Sequence, residues 1–95
     1  MEAYSADATV RAVRDHVSTE LEGEQVILQL ETGTYYGVDG IGPFVWERLQ
    51  EPITIDELCR SVVVEYDVDR RRVETDLEAL LVDLEKARLI ERTDG

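Results

Sequence analysis

The hydrophobic pattern of the chain changes period once. Between about residues 12 and 38 apolar side chains tend to recur at every second position, and beyond residue 40 they recur at spacings of three and four. Residues 1–9 (MEAYSADAT) follow neither period, which predicts a frayed, flexible start. Loose alternation through Val13 and Val17 predicts a strand over about 12–21, closed by a Glu22-Gly23 hairpin turn. Glu24–Glu31 (EQVILQLE) alternates more clearly, with Val26, Leu28 and Leu30 on one face and Ile27 and Gln29 on the other. A turn through Gly33 leads to a third strand, Thr34–Val38 (TYYGV), with Tyr36 and Val38 on one face and Tyr35 on the other. Three strands joined by tight turns make an antiparallel meander.

Asp39–Pro43 is the loop where the period switches, and Pro43 suits a first helical turn. Ile41, Phe44, Val45 and Leu49 predict a helix over about 42–50, stopped by Glu51-Pro52. Thr54 and Glu57 form a capping box flanked by the hydrophobic staple Ile53 and Leu58, so a second helix starts at Ile55. Its stripe of Leu58, Cys59, Val62, Val63 and Tyr66 ends near Tyr66. Asp69 is an N-cap for a third helix over about 70–88, lined by Val73, Leu77, Leu80, Leu81, Leu84 and Ala87. Leu89–Arg92 leaves that helix as a short extended tail. The expected class is α+β, one domain over residues 1–95. A three-stranded antiparallel sheet is followed by three helices, the last two forming a winged helix-turn-helix-like corner.

Charge narrows the partners. The 95 residues carry 22 acids against 10 bases, a net charge of −12. Such a field repels phosphate backbones and anionic bilayers, so neither nucleic acid nor membrane is an expected partner. The excess is local: residues 1–69 hold 15 acids and 4 bases, residues 70–95 hold 7 and 6. No apolar run suits a transmembrane helix, and residues 1–20 lack the basic and apolar blocks of a secretory signal. The single Cys requires no oxidising compartment, and a cytoplasmic protein is expected.

Candidate chemistry is sparse. One His (His16, first strand) and one Cys (Cys59, second helix) are too few for a tetrahedral metal site, and they read as a strand histidine and a core thiol. The carboxylates around Asp67-Val68-Asp69 are followed by arginines, which breaks the pattern of a calcium loop. Gly40-Ile41-Gly42 lacks the third glycine of a dinucleotide fingerprint. No catalytic residue, metal or cofactor is expected. Arg70-Arg71-Arg72 opens the second helix of the corner, where a DNA-binding regulator would place its recognition residues. Glu74, Asp76, Glu78, Asp83 and Glu85 on the same helix oppose that alternative.

Thr34–Val38 carries a different possibility. If it forms the sheet edge, its unpaired main-chain groups can accept an extended peptide, and Gly37 lets a second backbone approach closely. The competing reading packs Tyr35, Tyr36 and Val38 on the helices. Both stand from the pattern alone.

The ordered set Val26–Val38, Gly42–Leu49 (GPFVWERL), Ile53–Leu58, Glu65–Val68 and Val73–Leu77 leading to Leu80–Leu89 resembles the PqqD-like family over about residues 13–92. These are RiPP recognition elements, chaperones of ribosomally made precursor peptides. The resemblance implies a three-strand, three-helix winged-helix fold and a leader peptide added as a strand beside the third strand, in a cleft against the third helix. It carries over to Thr34, Tyr35, Tyr36, Gly37 and Val38. On the helix it carries over to Val73, Asp76, Leu77, Leu80, Leu81 and Leu84, some of which must be core. Asp76 occupies a family-typical acidic position suited to a basic leader side chain. Many members have Asn after the third strand; Asp39 stands here and changes the turn capping. The resemblance further implies a non-catalytic, free-standing adaptor whose partners are the leader and a maturation enzyme. The acidity and the Tyr-lined cleft lean towards the lasso type, with a leader peptidase as that enzyme; service to a radical SAM peptide-modifying enzyme is the alternative.

Overall fold

The computed structural model describes residues 2–93. In chain order the elements are β1 (Thr9–Ala12), β2 (His16–Leu21), β3 (Glu24–Gln29), β4 (Thr34–Val38), α1 (Gly42–Arg48), β5 (Ile53–Thr54), α2 (Ile55–Tyr66), α3 (Arg70–Lys86) and β6 (Ile90–Arg92). The class is α+β, with three helices and two three-stranded antiparallel sheets.

The meander is β2-β3-β4. Glu22 and Gly23 both take positive φ (52° and 83°), the geometry of a two-residue turn matching the twist of its strands. Leu21 therefore stands opposite Glu24, and Ile27 falls between Ser18 and Tyr36. The face carrying Ile27, Gln29 and Val38 is buried. Gln29 is satisfied there. Its amide donates to the Arg88 carbonyl at 2.9 Å, and its side-chain oxygen accepts from the Glu31 N–H at 2.6 Å.

The second sheet, β5-β1-β6, departs from the three-strand layout expected from periodicity. The expected strand over 12–21 is two strands in different sheets. Val13–Asp15 carries the chain between them: the Val13 N–H donates to the Leu89 carbonyl and the Leu30 N–H to the Asp15 carbonyl. The C-terminal tail pairs with β1, placing Ile90 beside Ala12. The start of the chain is also anchored where fraying was expected. Tyr4 is buried, its hydroxyl donates to Glu85 on α3, and the Arg92 guanidinium lies 4.3 Å from its ring centre. Met1 lies outside the described residues.

The helices follow their local signals. Gly42 opens α1 against β4, where a Cβ would stand 2.5 Å from that of Val38, so only glycine permits this approach. Trp46 packs inside. The His16 ring meets it edge-on at 4.9 Å, and the Trp46 Nε1–H finds no acceptor among the described residues. The Thr54 hydroxyl accepts from the Glu57 N–H while Glu57 reaches back to the Thr54 N–H. Asp69 caps α3 by accepting from the Arg71 N–H. Leu58, Cys59 and Val62 of α2 join Val73, Leu77, Leu81 and Leu84 of α3 in one core.

Arg70 ties the α2–α3 corner together, reaching Asp56 at 2.8 Å and Glu74 at 3.1 Å. The Arg70 hydrogen bond, helped by Arg60, holds the Asp56 carboxyl below its ordinary value of 3.8. A carboxyl lowered by folding stabilises the fold above its unfolded value, and that contribution is lost as pH falls through the folded value. Acid titration of Asp56→Asn should accordingly show a shallower loss of stability below pH 3.8 than the parent chain, read by circular dichroism. Superimposable acid limbs would show that the corner does not depend on this pair.

Candidate peptide-binding site

The turn chemistry decides which way the main chain of β4 points. In a two-residue hairpin the closing pair, Leu21 and Glu24, exchanges both hydrogen bonds, and the bonded side then alternates along the strand. Glu24, Val26 and Leu28 thus bond towards β2, while Gln25, Ile27 and Gln29 bond towards β4. The Leu30 N–H donating to Asp15 continues the first series, and the Gly33 N–H donating to Gln29 continues the second. Thr34, Tyr36 and Val38 stand opposite Gln29, Ile27 and Gln25, so they bond inward. Tyr35 and Gly37 are left with N–H and C=O groups aimed away from the sheet. Among the described residues no strand pairs with that edge of β4.

Below this edge lies α3. Tyr36 is half-buried and its hydroxyl stands 3.5 Å from an Asp83 carboxylate oxygen, spanning the space between strand and helix. Burial, followed by the Asp83 charge, raises the pKa of the Tyr36 phenol, which keeps it a neutral donor. Asp76, Leu80 and Asp83 follow one another at helical spacing on this side of α3. Leu80 is half-buried and the two carboxylates are exposed. Asp76 is only loosely engaged by Arg72, at 3.8 Å. At the far end a cavity of about 300 Å³ is lined by Ile41, Val62, Tyr66, Val68, Val73 and Asp76, with Arg72 on its rim.

The residues singled out from sequence separate into groups. Thr34, Tyr35 and Gly37 are exposed along β4; Tyr36 faces α3; Val38 is buried at the strand end. On α3, Leu77, Leu81 and Leu84 are core, Val73 is a buried wall of the cavity, and Asp76 and Leu80 reach the surface. Tyr35 lies on the opposite face of the sheet from Tyr36, so the two tyrosines do not line one pocket. Asp83 was missed, although its spacing from Asp76 on the same helix face could have found it. Ile41, Tyr66 and Val68 were missed because they come from three segments that only the tertiary fold brings together.

The remaining candidates have structural uses. The His16 Nδ1–H donates to the Val13 carbonyl at 2.7 Å. Cys59 is a buried thiol whose pKa burial raises, which makes it a poor nucleophile. Two of the three arginines are engaged, Arg70 with Asp56 and Glu74 and Arg72 with Asp76.

A free strand edge over a helix-walled, acid-lined groove is the architecture of a strand-accepting peptide-binding domain. The family model described as coenzyme PQQ synthesis protein D (PqqD) matches residues 24–90, and the chain belongs to that family. Two solved structures are similar. One is described as TbiB1 in complex with the TbiA(beta) leader peptide: 35% identity, TM-score 0.77, covering 90% of this chain and 99% of that one. The other is a lasso peptide synthetase B1 complexed with the leader peptide: 20% identity, TM-score 0.72, covering 86% and 96%, a likeness of fold. No curated protein matches the chain.

Proposed function

We propose that this protein is a non-catalytic adaptor of the lasso type. It binds the leader of a ribosomally made precursor as a strand added to β4 and presents it to the enzyme that matures it. The observation that carries this reading is the open edge of β4, with the main-chain groups of Tyr35 and Gly37 aimed outward above α3. The 35% identity to a B1 protein held with its leader supports it.

In mechanism, main-chain hydrogen bonds to Tyr35 and Gly37 set the register of the leader. Alternate leader side chains then point inward, over Tyr36 and Leu80 and towards the cavity beside Val73. Asp76 and Asp83 favour a basic side chain at the groove. Holding the leader beside a maturation enzyme raises its effective concentration there without any chemistry on this chain. The adaptor works where the precursor is made, in the cytoplasm. No described helix is long and apolar enough to cross a membrane. Two of the three arginines that would serve a DNA-binding corner, Arg70 and Arg72, are instead paired with carboxylates, and the surrounding charge is negative.

The test is to find a short precursor reading frame beside the gene for this chain, label its leader with fluorescein, and follow the titration by anisotropy at several salt concentrations. Saturable binding that weakens as salt rises is expected. Absence of saturable binding would remove the adaptor reading, and salt-independent binding would remove the basic contact to Asp76 and Asp83.

A further inference from the structure

The first residues of the chain clasp α3 on the side opposite the groove. The Ala3 N–H donates to a Glu78 carboxylate oxygen at 2.6 Å, and the Tyr4 hydroxyl donates to Glu85. Arg92 of β6 closes the clasp. It donates to the Ala3 carbonyl at 3.1 Å, meets Glu85 at 3.5 Å and lies over the Tyr4 ring. Tyr4 is only 2% exposed. Burial, then the Glu85 hydrogen bond and charge, push its phenol above the ordinary value of 10.0, so it stays a protonated donor. Further along this arm, the Ala6 and Ala8 carbonyls accept from the Asp56 and Ile55 N–H groups at the start of α2. Residues 3–8 therefore tie the start of α2, the second half of α3 and β6 into one unit.

That position bears on the groove. Successive residues of a helix are set about 100° apart, so Glu78 and Glu85 stand about 200° round from Leu80 and Asp83. The clasp thus holds the flank of α3 turned away from β4. α3 packs mainly on α2 and β6, and none of its main contacts is to the meander that carries β4. Across the groove itself stands the 3.5 Å approach of the Tyr36 hydroxyl to Asp83. Between the arm and Asp83 the back of α3 opens into a cavity of about 600 Å³, lined in part by Ala3, Ala79 and Val82. The helix wall of the groove is accordingly fastened chiefly from behind, and the arm is part of that fastening.

We infer that the N-terminal arm is a positioning element of the peptide site: clasping the back of α3 through Tyr4, Glu85 and Arg92, it holds the helix at the distance from β4 that an added strand needs. This rests on the leader-binding reading above. It adds that residues on the far flank of α3 act on leader affinity without touching the leader. Chain ends of this kind open locally at low cost, so the clasp has an open and a closed state. Linkage makes the effect reciprocal. If the closed clasp tightens leader binding by some factor, a bound leader favours the closed clasp by the same factor. A clasp that served the fold alone would leave leader affinity unchanged below the melting range and would not respond to the leader.

The probe is the fluorescein-labelled leader, titrated by anisotropy well below the melting temperature of each variant. Tyr4→Ala empties the clasp and should lower leader affinity about tenfold. Tyr4→Phe keeps the ring under Arg92 and loses only the bond to Glu85, so its affinity should lie between that variant and the parent. In the unaltered protein, saturating leader should slow hydrogen exchange of the Ala3 amide, read by NMR, by the same factor of about ten. That measurement needs no variant, and it carries the test if Tyr4→Ala does not fold. Parent-like affinity in a folded Tyr4→Ala protein overturns the inference, as does an Ala3 amide whose exchange ignores the leader. Glu2→Gln, at the exposed end of the arm, should leave affinity within about twofold. A larger loss there would mean that the leader reaches the arm directly, which also overturns the positioning role. A leader that does not bind the unaltered protein defeats the adaptor reading, and the clasp then has no strand to position.

Discussion

Gly37→Pro should abolish leader binding and leave the domain folded. Gly37 stands opposite Val26, whose main chain bonds to β2, so the Gly37 N–H is not part of the β3–β4 ladder. Proline removes that N–H, and its ring fills the space through which a second backbone must pass. Edge strands tolerate proline on their open side, so the cost to folding is small. Losing one main-chain hydrogen bond costs about 0.5–1.5 kcal/mol, and blocking the approach costs the bonds on either side as well. Leader affinity should therefore fall at least about tenfold, with a melting temperature close to that of the parent. A Cβ at Gly37 would meet a Glu24 carboxylate oxygen at 3.0 Å, the mobile end of a long side chain, so Gly37→Ala should bind more nearly like the parent. Full affinity in the proline variant would rule out strand addition at β4.

Leu81→Ala should produce the largest loss of stability, and Leu80→Ala a far smaller one. Leu81 is fully buried in the core, while its neighbour Leu80 is half-buried at the groove. Truncating a buried leucine leaves a cavity and costs about 2–5 kcal/mol. A domain of this size holds only about 5–15 kcal/mol in total. At about 4–8 °C per kcal/mol, Leu81→Ala should lower the melting temperature by tens of degrees. Leu80→Ala should instead weaken leader binding with a modest thermal shift. Thermal melts paired with leader titrations separate the two effects. A reversed order would mean that α3 is rotated about its axis relative to the sheet, placing Leu80 in the core.

Much of this division was legible in the chain. The period-two run from Glu24, the Glu22-Gly23 turn, the Thr54–Glu57 capping box and the Asp69 cap each depend on residues within a few positions of one another. Each element they mark is present. The helix ends came out slightly long, α3 stopping at Lys86 with Arg88 in the left-handed region beyond it. What was not legible depends on distant partners. Thr9 pairs with Thr54, and Val10 with Arg92, across most of the chain. These strands are two to four residues long, too short to show a period. The Tyr4 anchor is equally invisible locally, because its partners Glu85 and Arg92 lie at the other end of the sequence.

The candidate site divides along the same line. Local pattern is enough for the strand TYYGV, its central glycine, an apolar third helix and an acidic balance concentrated before residue 70. These are properties of neighbouring residues and of summed charge. Long-range packing adds that β4 is an open edge among the described residues, that Tyr35 and Gly37 are the residues whose main chain faces outward, and that Leu80 and Asp76 reach the surface while Leu77, Leu81 and Leu84 are core. The physical reason is that helical and strand periods fix which residues share a face. They do not fix which face meets a neighbour and which meets water. That choice is made by packing between segments far apart in the chain, and here it leaves one edge of β4 without a partner strand among the described residues.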